Sequence, residues 1–282
     1  MILTAAAVIS RITSNSFLNV KQKELSAHTS SLCVNFNTYF ILSLGALPLL
    51  FIMYFKTLNF EIVSWALAGG IFGALGNACL IGALKQGELS VLGPVNSYKA
   101  VVGLVFGAFI IKEMPDFAAI SGILLIIFGS YFVFDTTDEG FSLSLFKRRD
   151  IQFRLLALLF TGIEAVFIKK VILLSDALCS FFLWVIFGCV FSYVILKTGK
   201  RKVEICSIKP FLGLSALVLI MQVSTNYVFV KLPVGAALSL FQLSNVLNVF
   251  LGYKLFKEKH LLKKLTGSII MIIGSIIILR GV

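Results

Sequence analysis

Of 282 residues, 59% are hydrophobic and only 13% charged, and the mean hydropathy is +0.99. A soluble globule carries about 25% charged residues, so a soluble enzyme or binding domain is excluded and the chain reads as an integral membrane protein. Lys and Arg outnumber Asp and Glu by 25 to 13, but they sit in short clusters between apolar runs, where membrane orientation and anionic headgroups explain them better than nucleic acid does.

A bilayer core about 30 Å thick takes roughly 20 apolar residues per helix. Ten such runs follow in order, at 2–20, 32–55, 62–84, 89–111, 117–135, 152–174, 177–196, 210–230, 234–256 and 262–280. The fold class expected is therefore all-α, integral to the membrane, with ten transmembrane helices. The first run has no basic start and no small-residue cleavage motif, and it holds Arg11 and Asn15, so it is expected to stay as a helix rather than be removed as a signal peptide. In the third run small residues recur at helical spacing from Gly69 to Gly76, and in the fourth Gly103 and Gly107 are four apart. Such stripes let helix backbones approach closely, which puts these helices inside and the bulkier fifth and tenth outside. Pro94, beside Gly93, is a candidate local break in the fourth helix. The five cysteines are irregularly spaced with no C-x-x-C pair and read as packing residues.

The chain also repeats itself. At an offset of 145 residues Gly107 falls on Gly252, Lys112-Glu113 on Lys257-Glu258, Gly122 on Gly267, and Gly129-Ser130 on Gly274-Ser275. Residues 1–135 form one five-helix unit, 136–150 a polar joint, and 151–282 a second unit. The corner after Glu113 is acidic, with Asp116, whereas the corner after Glu258 is basic, with Lys259, Lys263 and Lys264. Two copies of opposite orientation would show that swap, since basic loops are retained in the cytoplasm. Most Lys and Arg fall in or beside the odd-numbered loops, which taken alone puts both termini outside the cytoplasm.

Charges inside hydrocarbon cost about 2.5–3.5 kcal/mol each on insertion scales, so they face the bundle interior and have a reason to be there. Arg11 in the first helix, Lys99 in the fourth and Glu164 in the sixth are such charges. Asn15 shares a face with Arg11, and Asn96 with Lys99. Asn77 in the third helix falls on Gln222 in the eighth at the offset of 145, with Asn226 one turn beyond, and the ninth helix presents Gln242 and Asn245. One account is internal pairing, with Glu164 neutralising Arg11 or Lys99 and fastening the halves. The other is a central polar cavity in which Arg11, Asn15, Asn77, Asn96, Lys99, Glu164, Gln222, Asn226, Gln242 and Asn245 bind a solute. Two cations against one anion favour a carboxylate or phosphate, and Glu164 would take an amine or a coupling proton. Glu113 and Glu258, closing their helices next to a Lys, read as structural parts of the corner together with Gly107, Gly122, Gly252 and Gly267.

The closing pattern Gly-x-x-x-x-Lys-Glu followed by Gly-x-x-x-x-x-x-Gly-Ser, found twice, and the link Ala83-Leu84-Lys85-Gln86-Gly87-Glu88-Leu89-Ser90 resemble the EamA-type branch of the drug/metabolite transporter superfamily. The resemblance covers nearly the whole chain and departs from the family pattern at Lys257-Glu258, where Gly-Glu is usual. It implies a multi-pass protein of the cell membrane, of the bacterial inner-membrane kind, that moves small metabolites by alternating access between inverted halves. It also implies cytoplasmic termini, against the loop charges. On this reading the partners are the lipid bilayer, a small solute such as an amino acid or other carboxylate, and a coupling proton. The chain is expected to act as a monomer without cofactor, metal or nucleic acid. A membrane enzyme is disfavoured, because His28 and His260 fall in loops and neither H-E-x-x-H nor G-x-S-x-G occurs. The alternative to transport is a non-transporting membrane partner or assembly subunit.

Overall fold

Backbone amides cannot be left unpaired in lipid, so an apolar chain of this kind pairs them within helices. The computed structural model describes residues 2–51, 58–112, 117–138, 140, 142–200 and 208–280, and its elements are helical. They are α1 (Ile2–His28), α2 (Ser31–Ala46), α3 (Phe60–Gln86), α4 (Leu89–Val95), α5 (Tyr98–Ile110), α6 (Phe117–Phe134), α7 (Arg149–Leu174), α8 (Ala177–Thr198), α9 (Ile208–Lys231), α10 (Val234–Phe241), α11 (Ser244–Phe256) and α12 (Leu261–Arg280). Short 3-10 turns follow α2 and precede α7. Side-chain caps begin two of the helices. Asn59 accepts the Ile62 amide at 2.9 Å, and Asp176 accepts Leu178 and Cys179 at 2.7 and 2.8 Å.

Among the described residues twelve helices make ten spans, because the fourth span of each half is broken in two. Between α4 and α5 the amides of Asn96, Ser97, Lys99 and Ala100 bond three residues back instead of four. Between α10 and α11 those of Gln242, Leu243 and Asn245 do the same. The first break follows Pro94, which lacks an amide hydrogen. No proline marks the second.

The two halves are inverted, as their closest contacts show. A Cβ placed on Gly93 would lie 2.7 Å from Asn248 Cβ, and one on Gly103 would run into Leu238. At the offset of 145 these are one contact made twice, since 93 maps to 238 and 103 to 248. The same holds where α6 crosses α12. A Cβ on Gly129 would be 2.8 Å from Gly267 O, and one on Gly274 would be 2.5 Å from Gly122 O. In both pairs one index falls as the other rises, so equivalent helices run antiparallel and the two-fold relating them lies in the membrane plane. The paired Gly-x-x-x-x-x-x-Gly pattern is thus the crossing of α6 on α12, a close backbone approach of the kind small residues allow. No described residue of α6 or α12 lines the central cavity, and both expose large apolar side chains such as Leu124, Phe128, Leu262 and Ile269.

The Lys-Glu corner has an equally local cause. Lys112 and Lys257 both end their helices in the left-handed conformation, at φ 66° and 55°. This turns the chain so that Glu258 folds back against Gly252, where any Cβ would collide with its carboxylate. Glu258 then accepts the amides of Leu89 and Ser90 at 2.8 and 2.7 Å, capping α4 of the other half. Its partner in the first half, Glu113, lies outside the described residues, as does Cys206.

Candidate functional site

One polar cavity lies between the halves, with about 740 Å³ of space between protein atoms, part of it open to solvent. Among its walls are Arg11, Asn15 and Asn19 of α1, Asn77 of α3, Asn96 at the first break, Lys99 of α5, Arg154, Thr161 and Glu164 of α7, Trp184 of α8, and Gln222 and Thr225 of α9. Seven of the ten solute-binding candidates read from the sequence are among these residues: Arg11, Asn15, Asn77, Asn96, Lys99, Glu164 and Gln222.

Asn226, Gln242 and Asn245 are placed elsewhere. Asn226 accepts from Gln222 at 3.0 Å and donates to the Ala177 carbonyl at 3.0 Å, holding α9 to the start of α8. Gln242 and Asn245 are fully buried and join the two breaks. Asn96 donates to Gln242 at 3.2 Å, and Asn245 donates to Ser97 Oγ at 2.8 Å. Helical spacing put their amides on one face, and there they meet Asn96 and Ser97 at the first break, while Leu238 and Phe241 of α10 line the cavity.

The charged groups do not form the ion pair that the simpler account requires. No carboxylate lies within 4.0 Å of Arg11, Lys99 or Arg154 among the described residues. Arg11 Nε instead donates to Thr225 Oγ1 at 2.8 Å, with its guanidinium 4.9 Å from the centre of the Phe241 ring. Glu164 is buried and accepts Trp184 Nε1–H at 2.5 Å. Gly73 makes room for it, because a Cβ there would lie 2.9 Å from the carboxyl carbon. The stem of Lys99 passes Gly162, 3.7 Å from where a Cβ would stand. Polar side chains from α1 extend the wall: Asn15 and Asn19 donate to Ser244 and Asn248, each at 3.4 Å.

Sequence reasoning missed Asn19, Arg154, Thr161, Trp184 and Thr225. Arg154 lies five residues beyond the start of α7, and that nearness to a helix end disguised it as an interfacial charge. Trp184 carried a usable signal, since it falls on Tyr39 at the offset of 145 and the two rings are in contact, 5.1 Å between centres.

A family model described as the EamA-like transporter family matches residues 3–135 and again 150–280. The chain belongs to that family, and is a multi-pass membrane transporter of the drug/metabolite type. No curated protein matches it. A solved structure titled only "Crystal structure of protein" is similar in fold, with a TM-score of 0.66 at 14% identity over 97% of this chain and 95% of that one.

Proposed function

We propose that the chain is a secondary transporter of small carboxylate-bearing metabolites, working by alternating access between its inverted halves. A bilayer of the bacterial inner-membrane kind is the setting that family membership suggests. The observation that carries this reading is the gathering of four ionisable side chains from both halves onto one cavity, with none of the cations in direct contact with the carboxylate. A buried charge left without a partner is expensive, and an anionic solute supplies one to Lys99 and Arg11. Two cavity walls, α4–α5 and α10–α11, are broken at mid-span and held to each other by side chains, which supports motion of the halves about that point.

In this mechanism Arg11 and Lys99 hold the carboxylate, the amides of Asn77, Asn96 and Gln222 orient the rest of the solute, and Glu164 carries a proton in exchange for it. Flux into proteoliposomes tests both roles. Lys99→Met is expected to weaken solute binding about tenfold or more, since a charge-assisted hydrogen bond is lost while chain length is nearly kept. Glu164→Gln is expected to abolish uptake driven by a pH gradient while leaving solute exchange intact, because the amide resembles a permanently protonated carboxyl. If both variants transport like the original chain, the charges serve the scaffold alone and the reading fails.

A further inference from the structure

The charges on the cavity wall do not balance, and the residue that tips them, Arg154, belongs to no motif. Its side chain is buried, 4% exposed, yet it lines the cavity. Nε donates to the Leu92 carbonyl at 2.8 Å, in the last turn of α4 before the first break. That bond fixes the guanidinium and, among the described residues, leaves its two terminal nitrogens, a flat fork suited to a carboxylate or phosphate.

Depth decides what Arg154 adds. Arg11 and Glu164 lie at nearly the same depth, counted from the face where α1 starts and α7 ends. Arg154 is ten residues before Glu164 on α7, roughly 15 Å along the axis at about 1.5 Å per residue. Lys99 passes Gly162, between them. Glu164 offsets one of the two cations near its own level, Arg11 and Lys99, so one positive charge there and Arg154 remain, at different depths in the bundle. A monocarboxylate would answer only one of them.

Resting on the transporter reading above, we propose that the solute bears two separated anionic groups, one met by Lys99 with Arg11 and the other by the Arg154 fork. A zwitterionic amino acid with an uncharged side chain is then a poor substrate, and an acid with a second carboxylate or a phosphonate is a good one.

The test uses the full chain purified in detergent, with binding read as a shift of the thermal midpoint. The probes are malonate, succinate, glutarate and adipate, the phosphonocarboxylates of matching length, and the monomethyl ester of each dicarboxylate. At least one diacid is expected to bind about tenfold or more tighter than its own monoester, the loss of one charge-assisted contact. Which series binds best separates a second carboxylate from a phosphonate. Arg154→Gln is expected to erase that preference, so that a diacid and its monoester bind equally, and Arg154→Lys to keep it in part. Should Arg154→Gln fail to fold for want of the Leu92 contact, the preference in the unaltered chain and in Arg154→Lys still decides. Equal binding of diacid and monoester, or a preference that survives Arg154→Gln, overturns the proposal and leaves the transporter reading standing. If no probe binds, the proposal is overturned, and Lys99-dependent flux of a monoanionic or zwitterionic solute would show that transport itself is not in question.

Discussion

The crossing of α6 on α12 and the wall of the cavity obey the internal repeat in opposite ways. At the crossing the close glycine approaches are matched: Gly129 on Gly267 and Met271 answers Gly274 on Gly122 and Ile126 across the two-fold. On the cavity wall the charged positions have uncharged counterparts: Glu164 falls on Asn19, Lys99 on Ser244, Arg154 on Ile9 and Arg11 on Leu156. The hydrogen-bonding aromatics differ as well, Trp184 falling on Tyr39. A two-fold scaffold needs matching surfaces, because one packing solution then serves both halves. A solute has no two-fold symmetry. Its site is assembled where the halves disagree.

The harshest break of this contrast is on the symmetric side. In Gly267→Leu the new Cβ would stand 2.6 Å from Gly129 O, 2.8 Å from Val133 Cγ2 and 3.1 Å from Phe132 Cβ. Two of these neighbours are backbone or backbone-proximal and cannot swing away. Overpacking of this kind costs about 1–3 kcal/mol or more, so the variant is expected to show the largest fall in thermal midpoint and in yield. A midpoint equal to that of the original chain would mean that the glycine pairs do not hold α6 to α12.

A middle-sized effect separates packing from chemistry within one helix. Gly73 belongs to the small-residue stripe of α3, whose other members face uncharged neighbours: Gly70 meets Phe187, and Gly76 meets Thr161 and Phe160. Gly73 alone of the three meets the Glu164 carboxylate. Gly73→Ala is expected to shift that carboxylate off the Trp184 indole, at a cost of about 1–3 kcal/mol. Proton-driven uptake should fall much further than stability does. If uptake and stability fall in proportion, the glycine serves packing only.

The legible part of this chain was whatever the repeat writes twice. Offset glycines and the Lys-Glu pairs predict two inverted five-helix units from the sequence alone. Lone polar residues in apolar runs pointed to the cavity, because hydrocarbon tolerates them only at an inner face. Less was legible where a neighbour decides the outcome. The second helix break has no proline, and it forms where α10 and α11 must cross α4 and α5, with Gln242 and Asn245 taking up the groups of Asn96 and Ser97. Asn226 sits at the right depth, but its amide is spent on the Ala177 carbonyl. Helical spacing assigns a face and leaves open whether solute or another helix lies against it.

The smallest expected effect compares the two aromatic residues that face each other across the two-fold. Trp184 donates to Glu164 at 2.5 Å, whereas Tyr39 accepts from Asn77 Nδ2 at 2.7 Å. Tyr39→Phe keeps the ring that packs on Trp184 and removes only the acceptor. Asn77 lines the cavity, so its amide can turn toward water there, and the cost should be about 0.5–1.5 kcal/mol, an ordinary net hydrogen bond. Driven uptake should be nearly unchanged. Trp184→Phe likewise removes one hydrogen bond, but its partner is the buried carboxylate, which then keeps no donor among the described residues. The pH dependence of uptake should therefore move in Trp184→Phe and stay fixed in Tyr39→Phe. Equal shifts in the two variants would place the proton-carrying function on both halves alike, and the asymmetry of the cavity would no longer account for coupling.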